Sequence, residues 1–197
     1  LTPGLLVSAH EVTQRAFVAV LGRDPSSRSG DDLPVHDVTV AEARAFCEAL
    51  TRRAQGDPFW ARYVFRLPTE DEWEACCRAG ALAPIAVATP PSNRRPFAAR
   101  LEEVAWFQSH GPPGAGAGPF SVGGRAPNAW GLFDVHGNVG EWCLPSPTLP
   151  PPAPGLVPLR GGGWTTEYRG CRASNRDLVP ASFASASTGF RVVAQPR

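Results

Sequence analysis

The texture of the sequence changes abruptly at Ala81, and that change limits the possible folds more than any other feature. Before it, three stretches carry helix start signals. Ser8-Ala9-His10-Glu11 has the Ser-x-x-Glu form of a capping box ahead of EVTQRAFVAVLG, with Gly22 as the stop. Thr39-Val40-Ala41-Glu42 opens VAEARAFCEALTRRA, in which Val40, Ala43, Phe46, Cys47 and Leu50 share one face at helical spacing. Thr69-Glu70-Asp71-Glu72 opens EDEWEACCRAG, which is acidic in its first turn and ends at Gly80. After Ala81, glycine and proline punctuate short apolar runs and no helical period persists. Helices in the first half and short, irregular strands in the second make an α+β domain, and residues 1–197 read as one such unit. Two segments read as loops: the glycine-proline stretch at 111–120 and the extended, semi-rigid LPSPTLPPPAPGLVP at 144–158.

Composition removes several classes of function. The chain has 197 residues, 43% of them hydrophobic, enough to bury one real core. Its net charge is +1 and its arginines are dispersed, so neither a nucleic-acid groove nor a basic membrane patch is expected. No apolar run approaches the ~20 residues of a transmembrane helix, and no secretory signal is visible, which leaves localisation open. The lack of methionine, even at position 1, fits a processed chain or a fragment. The cysteines are Cys47, Cys76, Cys77, Cys143 and Cys171. An odd count without a CxxC pair argues against a disulfide framework or a zinc site, so free, buried thiols are expected. The four histidines show no metal-ligand spacing, and His136, beside a glycine turn, reads as a hydrogen-bonding structural residue.

Four segments carry a more specific pattern: RLPTEDEWEACCRAG (66–80), NAWGLFDVHGNVGEWC (128–143), LRGGGW (159–164) with CRASNR (171–176), and TGFRVV (188–193). In order and spacing they resemble the formylglycine-generating-enzyme, or sulfatase-modifying-factor, superfamily. That resemblance implies an elaborated C-type lectin fold, and PVHDVTVAEARAFCEAL (34–50) extends it across the first half. Within these motifs Trp130, Trp142 and Trp164 are suited to building a core where strands are few, and Phe190 is expected to be buried. Some members bind calcium at positions matching Asp134, Gly137, Val139 and Glu141, where a carboxylate pair around free carbonyls suits a hard cation. The alternative is that Asp134 and Asn138 simply hydrogen-bond the turn.

The oxidase chemistry of this family does not carry over. Its copper lies between two cysteines that follow a GGSW-like motif, because soft Cu(I) requires a thiolate pair. Here the motif reads GGGWTTEYRGC: Thr166 matches the first cysteine, and Cys171 matches a different, structural one. Gly163 stands in place of the usual serine, and Gly140 in place of the tryptophan of GNVWEW. Copper is therefore not expected, and no other catalytic constellation stands out.

A second branch with the same scaffold is closer in pattern. In the variable proteins of diversity-generating retroelements, the C-terminus resembles RGGSW, a short insert, CRxxNR, a variable run and GFRVV, and adenine-directed mutagenesis rewrites the inserts. This chain keeps that frame and places inserts at 165–170 and 177–188. Codons derived from AAC never encode Glu, Gln, Lys, Met or Trp. Asp177 to Thr188, Thr165, Thr166 and Tyr168 all obey that limit, and Glu167 does not. The resemblance implies a non-enzymatic ligand-binding display protein whose surface comprises Thr165, Thr166, Tyr168, Asp177, Leu178, Val179, Ala181, Ser182, Phe183, Ser185 and Ser187. Leu178, Val179, Phe183 and Tyr168 would be apolar anchors in an exposed loop, with Ser and Thr supplying adaptable polar contacts. The expected partner is a protein or cell-surface ligand. An oxidase or accessory sulfatase-modifying role is the alternative.

Overall fold

The structure is a computed structural model that describes residues 2–83, 85, 100–108 and 118–197. The loop expected at 111–120 therefore lies outside the described residues except for 118–120. Three helices occupy the first half: α1 (Gln14–Leu21), α2 (Val40–Ala54) and α3 (Glu70–Arg78). Each opens on a threonine whose hydroxyl accepts a backbone N–H of the first turn. For α2 and α3 the box is reciprocal, with Glu42 and Glu72 accepting the N–H of Thr39 at 2.8 Å and of Thr69 at 2.9 Å.

The cap of α1 is Thr13 rather than Ser8. Between those two residues the chain is held by the C-terminal segment instead: Ser8 N–H donates to Val192 O, and Val12 N–H to Phe190 O, each at 2.9 Å. Tertiary pairing thus overrides the local Ser-x-x-Glu signal, and Glu11 is drawn into the interior. At the other end Gly22 adopts φ 75°, and its N–H donates to Val18 O at 2.8 Å, as the sequence anticipates. Helix α3 stops at Ala79, itself left-handed at φ 45°, one residue before the expected Gly80.

Among the described residues seven short strands form two sheets. Strands β1 (Leu6–Val7), β2 (Tyr63–Arg66) and β7 (Val193–Pro196) pair antiparallel in the order β1-β7-β2. The second sheet contains β3 (Gly140–Trp142), β4 (Leu156–Arg160), β5 (Asp177–Pro180) and β6 (Thr188–Gly189), ordered β5-β4-β3-β6. Only the β3–β6 pair is parallel. Two stretches expected to be loops differ from that reading. Asp177–Pro180 is an edge strand, and Leu156 to Pro158, the end of the proline-rich segment, begins β4.

The main core is centred on Phe17, Phe46 and Phe190. Phe17 and Phe46 stack at 5.5 Å, and Phe190 meets Phe46 edge-on at 5.4 Å. Trp142 joins them, fully buried, and donates its indole N–H to Val38 O at 2.9 Å. Trp130 is not a core residue: it is half exposed, while Trp73 fills the second cluster with Cys76, Cys77 and Leu132.

The arginines of the C-terminal motifs clip this scaffold together. Arg191 and Glu141, both essentially inaccessible, form two hydrogen bonds of 2.6 Å, and Trp73 donates to the same carboxylate at 2.7 Å. Arg160 reaches Glu74 of α3 at 2.8 Å, and Arg176 grips Glu70 of α3 at 2.6 and 2.9 Å. Removing one partner of a fully buried, bonded pair such as Arg191–Glu141 costs about 3–5 kcal/mol, which ties that pair to folding. Among the described residues no helix is long and apolar enough to cross a membrane.

Candidate ligand-binding surface

The two C-terminal inserts meet in space. Thr165 Oγ1 donates to Ser187 Oγ at 3.2 Å and so joins the inserts, and the indole N–H of the frame residue Trp164 donates to Ala186 O at 2.9 Å and braces the second. Motif residues that flank or separate the inserts point inward, since Cys171, Ala173, Phe190 and Arg191 are buried. Thr165, Asp177, Ala181, Ser182 and Phe183 are exposed. This division between inward frame and outward insert is what permits loop residues to change without unfolding a domain.

A cavity of about 200 Å³ lies where the inserts meet. Its floor contains Gly140, Gly162 and Gly163, all buried. Leu159, Val179 and Phe183 form an apolar wall, and Thr166 and the hydroxyls of Ser185, Ser187 and Thr188 line the remainder. Among the described residues Asp177 is the one charged group that lines it. The two departures from the family pattern noted in the sequence make room for this cavity. A Cβ on Gly140 would lie 2.9 Å from Leu159 Cδ2, and one on Gly163 would lie 2.9 Å from both Ser187 Cβ and Ser187 O. Any side chain at either position displaces a wall residue. Sequence reasoning registered both glycines as lost oxidase features and missed that together they open the floor.

Not all the anchors expected from the sequence converge. Side chains alternate along a strand, so Asp177 and Val179 face the cavity while Leu178, 36% exposed, projects from the other face of β5. Val179 is only half-buried and also packs against the main core. Phe183, likewise 36% exposed, rests edge-on against Trp142 at 6.5 Å. Tyr168 is not a free anchor, because it packs against the cluster of Ile85, Leu101 and Phe107. Thr166 is equally constrained: its hydroxyl accepts the N–H of Gly163 at 2.9 Å, and its carbonyl accepts the N–H of Gln108 at 3.0 Å.

The glycine turn before β3 has different chemistry. Asp134 and Asn138 are left-handed, at φ 56° and 60°, and both bond the 120–123 segment. Asp134 Oδ2 accepts the Gly123 N–H at 2.6 Å, and Asn138 Oδ1 accepts the Phe120 N–H at 2.9 Å. Gly137, at φ 112°, lies against the Trp106 backbone, where a Cβ would collide. The residues at Asp134, Gly137, Val139 and Glu141 do not fit calcium. Both Glu141 oxygens are bonded by Arg191 and Trp73, and a guanidinium occupies the face that a cation would need. Among the described residues no group of three His, Cys, Asp or Glu side chains is placed to hold a metal.

Instead Asp134 of the turn lies beside a second buried acid, Glu11. Glu11 Oε1 and Oε2 and Asp134 Oδ1 are buried and receive no N–H or hydroxyl donor. Burial raises Glu11 well above the ordinary carboxylate range, Asp134 and Glu141 add to the shift, and Arg191 opposes it. A neutral Glu11 supplies the missing donor, hydrogen-bonding to Asp134. His136, fully buried, is pushed down to about 4 by desolvation and donates from Nδ1 to Cys171 O at 2.8 Å. All five cysteines are free and buried. Burial pushes the Cys171 thiol up to about 12, which is unsuited to a metal-binding thiolate.

With the fold and this surface described, the class follows. The sulfatase-modifying factor enzyme 1-like domain matches residues 2–196, and the chain belongs to that family, with the C-type lectin fold of the formylglycine-generating-enzyme type. Among solved structures it is similar to Treponema denticola variable protein 1, with 25% identity and a TM-score of 0.81 over 98% of this chain and 84% of that one. It is also 24% identical to the chaperone protein LppX of Paenibacillus barcinonensis, over 95% of this chain and 79% of that protein. The formylglycine-generating enzyme of Thermomonospora curvata is 31% identical over 66% of this chain, which spans 50% of that enzyme.

Proposed function

We propose that this chain is a non-enzymatic display protein, in which the inserts at 165–170 and 177–188 are diversified and bind a protein or cell-surface ligand. One observation carries the reading: two inserts distant in sequence form one outward surface around a cavity, braced by buried motif residues. The similarity to a variable protein over nearly the whole chain supports it. The apolar wall and surrounding hydroxyls are the composition of an adaptable binding patch. An oxidase reading would need a thiolate pair, but Thr166 occupies one position and Cys171 is a buried thiol.

The test is the nucleotide sequence around the coding region for 160–193. An imperfect second copy, differing from the gene mainly at adenines and lying beside a reverse-transcriptase gene, is the expected result. A region without such a copy, or copper-dependent oxygen consumption with a cysteine-containing peptide, overturns the reading.

A further inference from the structure

We infer that the cavity under the two inserts is a specificity pocket for one long cationic side chain, arginine or lysine, of a protein partner. This inference rests on the display reading and adds what the surface selects in this chain. At about 200 Å³ the cavity is smaller than the ~300–1,000 Å³ of sites for drug-sized ligands, so it holds one side chain rather than a whole small molecule.

The chemistry of the lining chooses among side chains. Among the described residues its single charged group is Asp177, and no cation lines it. Asn175 Nδ2 donates to Asp177 Oδ2 at 3.1 Å, which leaves the second carboxylate oxygen open to another donor. Elsewhere in the lining, Ser185, Ser187 and Thr188 bond one another, with Ser185 Oγ 2.7 Å from Thr188 Oγ1 and 3.3 Å from Ser187 Oγ. Hydroxyl oxygens keep acceptor capacity when their protons are used, and an ionised carboxylate only accepts. Asp177 thus presents an acceptor to an incoming group, and the hydroxyls can turn to donate or accept. Leu159, Val179 and Phe183 offer the apolar surface along which an arginine or lysine stem lies while its head stays at the carboxylate. An acidic side chain meets Asp177 and is rejected. A neutral aliphatic one fills the wall and leaves the open Asp177 oxygen without a donor.

Asp177 belongs to the insert, whereas Gly140 and Gly163 belong to the frame. The floor is therefore fixed, while Asp177, which sets the charge preference, and most of the walls belong to the replaceable inserts.

The experiment titrates the whole protein, labelled with 15N, with n-butylguanidinium, n-butylammonium, n-butanol and butyrate. Saturable shifts of the Gly140, Gly162 and Gly163 amides are expected for the two cations, with affinity exceeding that for butanol. Asp177→Asn should weaken the cations about three- to fivefold, as expected for a partly exposed ion pair, and leave butanol unchanged. Gly163→Val, which fills the floor, should abolish every response. Should that variant fail to fold, Asp177→Asn, at an exposed position, carries the test alone. Equal binding of butanol and the cations, stronger binding of butyrate, or cation binding insensitive to Asp177→Asn overturns the pocket. Those outcomes leave the display reading standing, because that reading depends on the nucleotide record; conversely, cation binding without a second gene copy would leave the pocket and remove diversification.

Discussion

Replacing Glu11 by glutamine should remove a specific part of the pH dependence of stability. Glu11 is fully buried beside Asp134, so a proton held on Glu11 is expected to be shared between the two acids. The groups facing it are Asp134, Glu141 and Arg191, and Arg191 is already bonded by both oxygens of Glu141. Its folded pKa is raised, so the folded state retains a proton that the unfolded chain releases above 4.5. Stability from this pair is fully present below pH 4.5 and is lost as pH rises, with a slope of up to about 1.4 kcal/mol per pH unit for one proton. His136 acts with the opposite sign. Its folded pKa is depressed to about 4 from 6.5, so its contribution is present above pH 6.5 and is lost as pH falls through that window. The two oppose one another between pH 4.5 and 6.5, and the acid pair is isolated from His136 above 6.5. Glutamine keeps an N–H donor toward Asp134 without a titrating proton. Urea unfolding from pH 5 to 9 should show wild-type stability falling relative to Glu11→Gln as pH rises. Parallel curves for the two proteins would refute the shared proton.

Other outcomes separate frame from surface. Phe190→Ala, which empties the centre of the aromatic trio, should cost about 3–5 kcal/mol. Leu178→Ser, at a residue 36% exposed on an edge strand, should cost at most about 1–2 kcal/mol by the same denaturant titration. Comparable losses would mean that Leu178 is core. The five cysteines should stay unreactive toward a thiol-specific disulfide reagent at neutral pH and react together once denaturant unfolds the chain. Reaction of a thiol in the native protein would contradict their burial.

The helices were legible because their signals are local. Thr39 and Thr69 sit in boxes closed within four residues, so sequence spacing suffices. Ser8 carries the same pattern and failed, since its backbone is claimed by Val192 at the other end of the chain. Strand β5 was hidden for a related reason: an Asp-Leu-Val-Pro run has no clean alternation, and only pairing with β4 makes it a strand. What could not be read was which of the insert side chains share a face. Leu178 and Val179 are neighbours in sequence, and β geometry sends them to opposite sides. Likewise, nothing local in DVHGNVGEW shows that Arg191, fifty residues on, takes the Glu141 carboxylate.

The most direct measurement compares two libraries of the whole chain. One randomises the exposed Thr165, Asp177, Ala181, Ser182 and Phe183, and the other randomises the buried Cys171, Phe190 and Arg191 from the same segment. Displayed on cells and sorted for protease resistance, most members of the first library should remain folded and most of the second should not. Selection of the folded first library against several unrelated protein baits should then return binders with different residues at the randomised positions. Unfolding as frequent in the first library as in the second, or a folded library that yields no binder to any bait, would contradict a display surface built on a fixed frame.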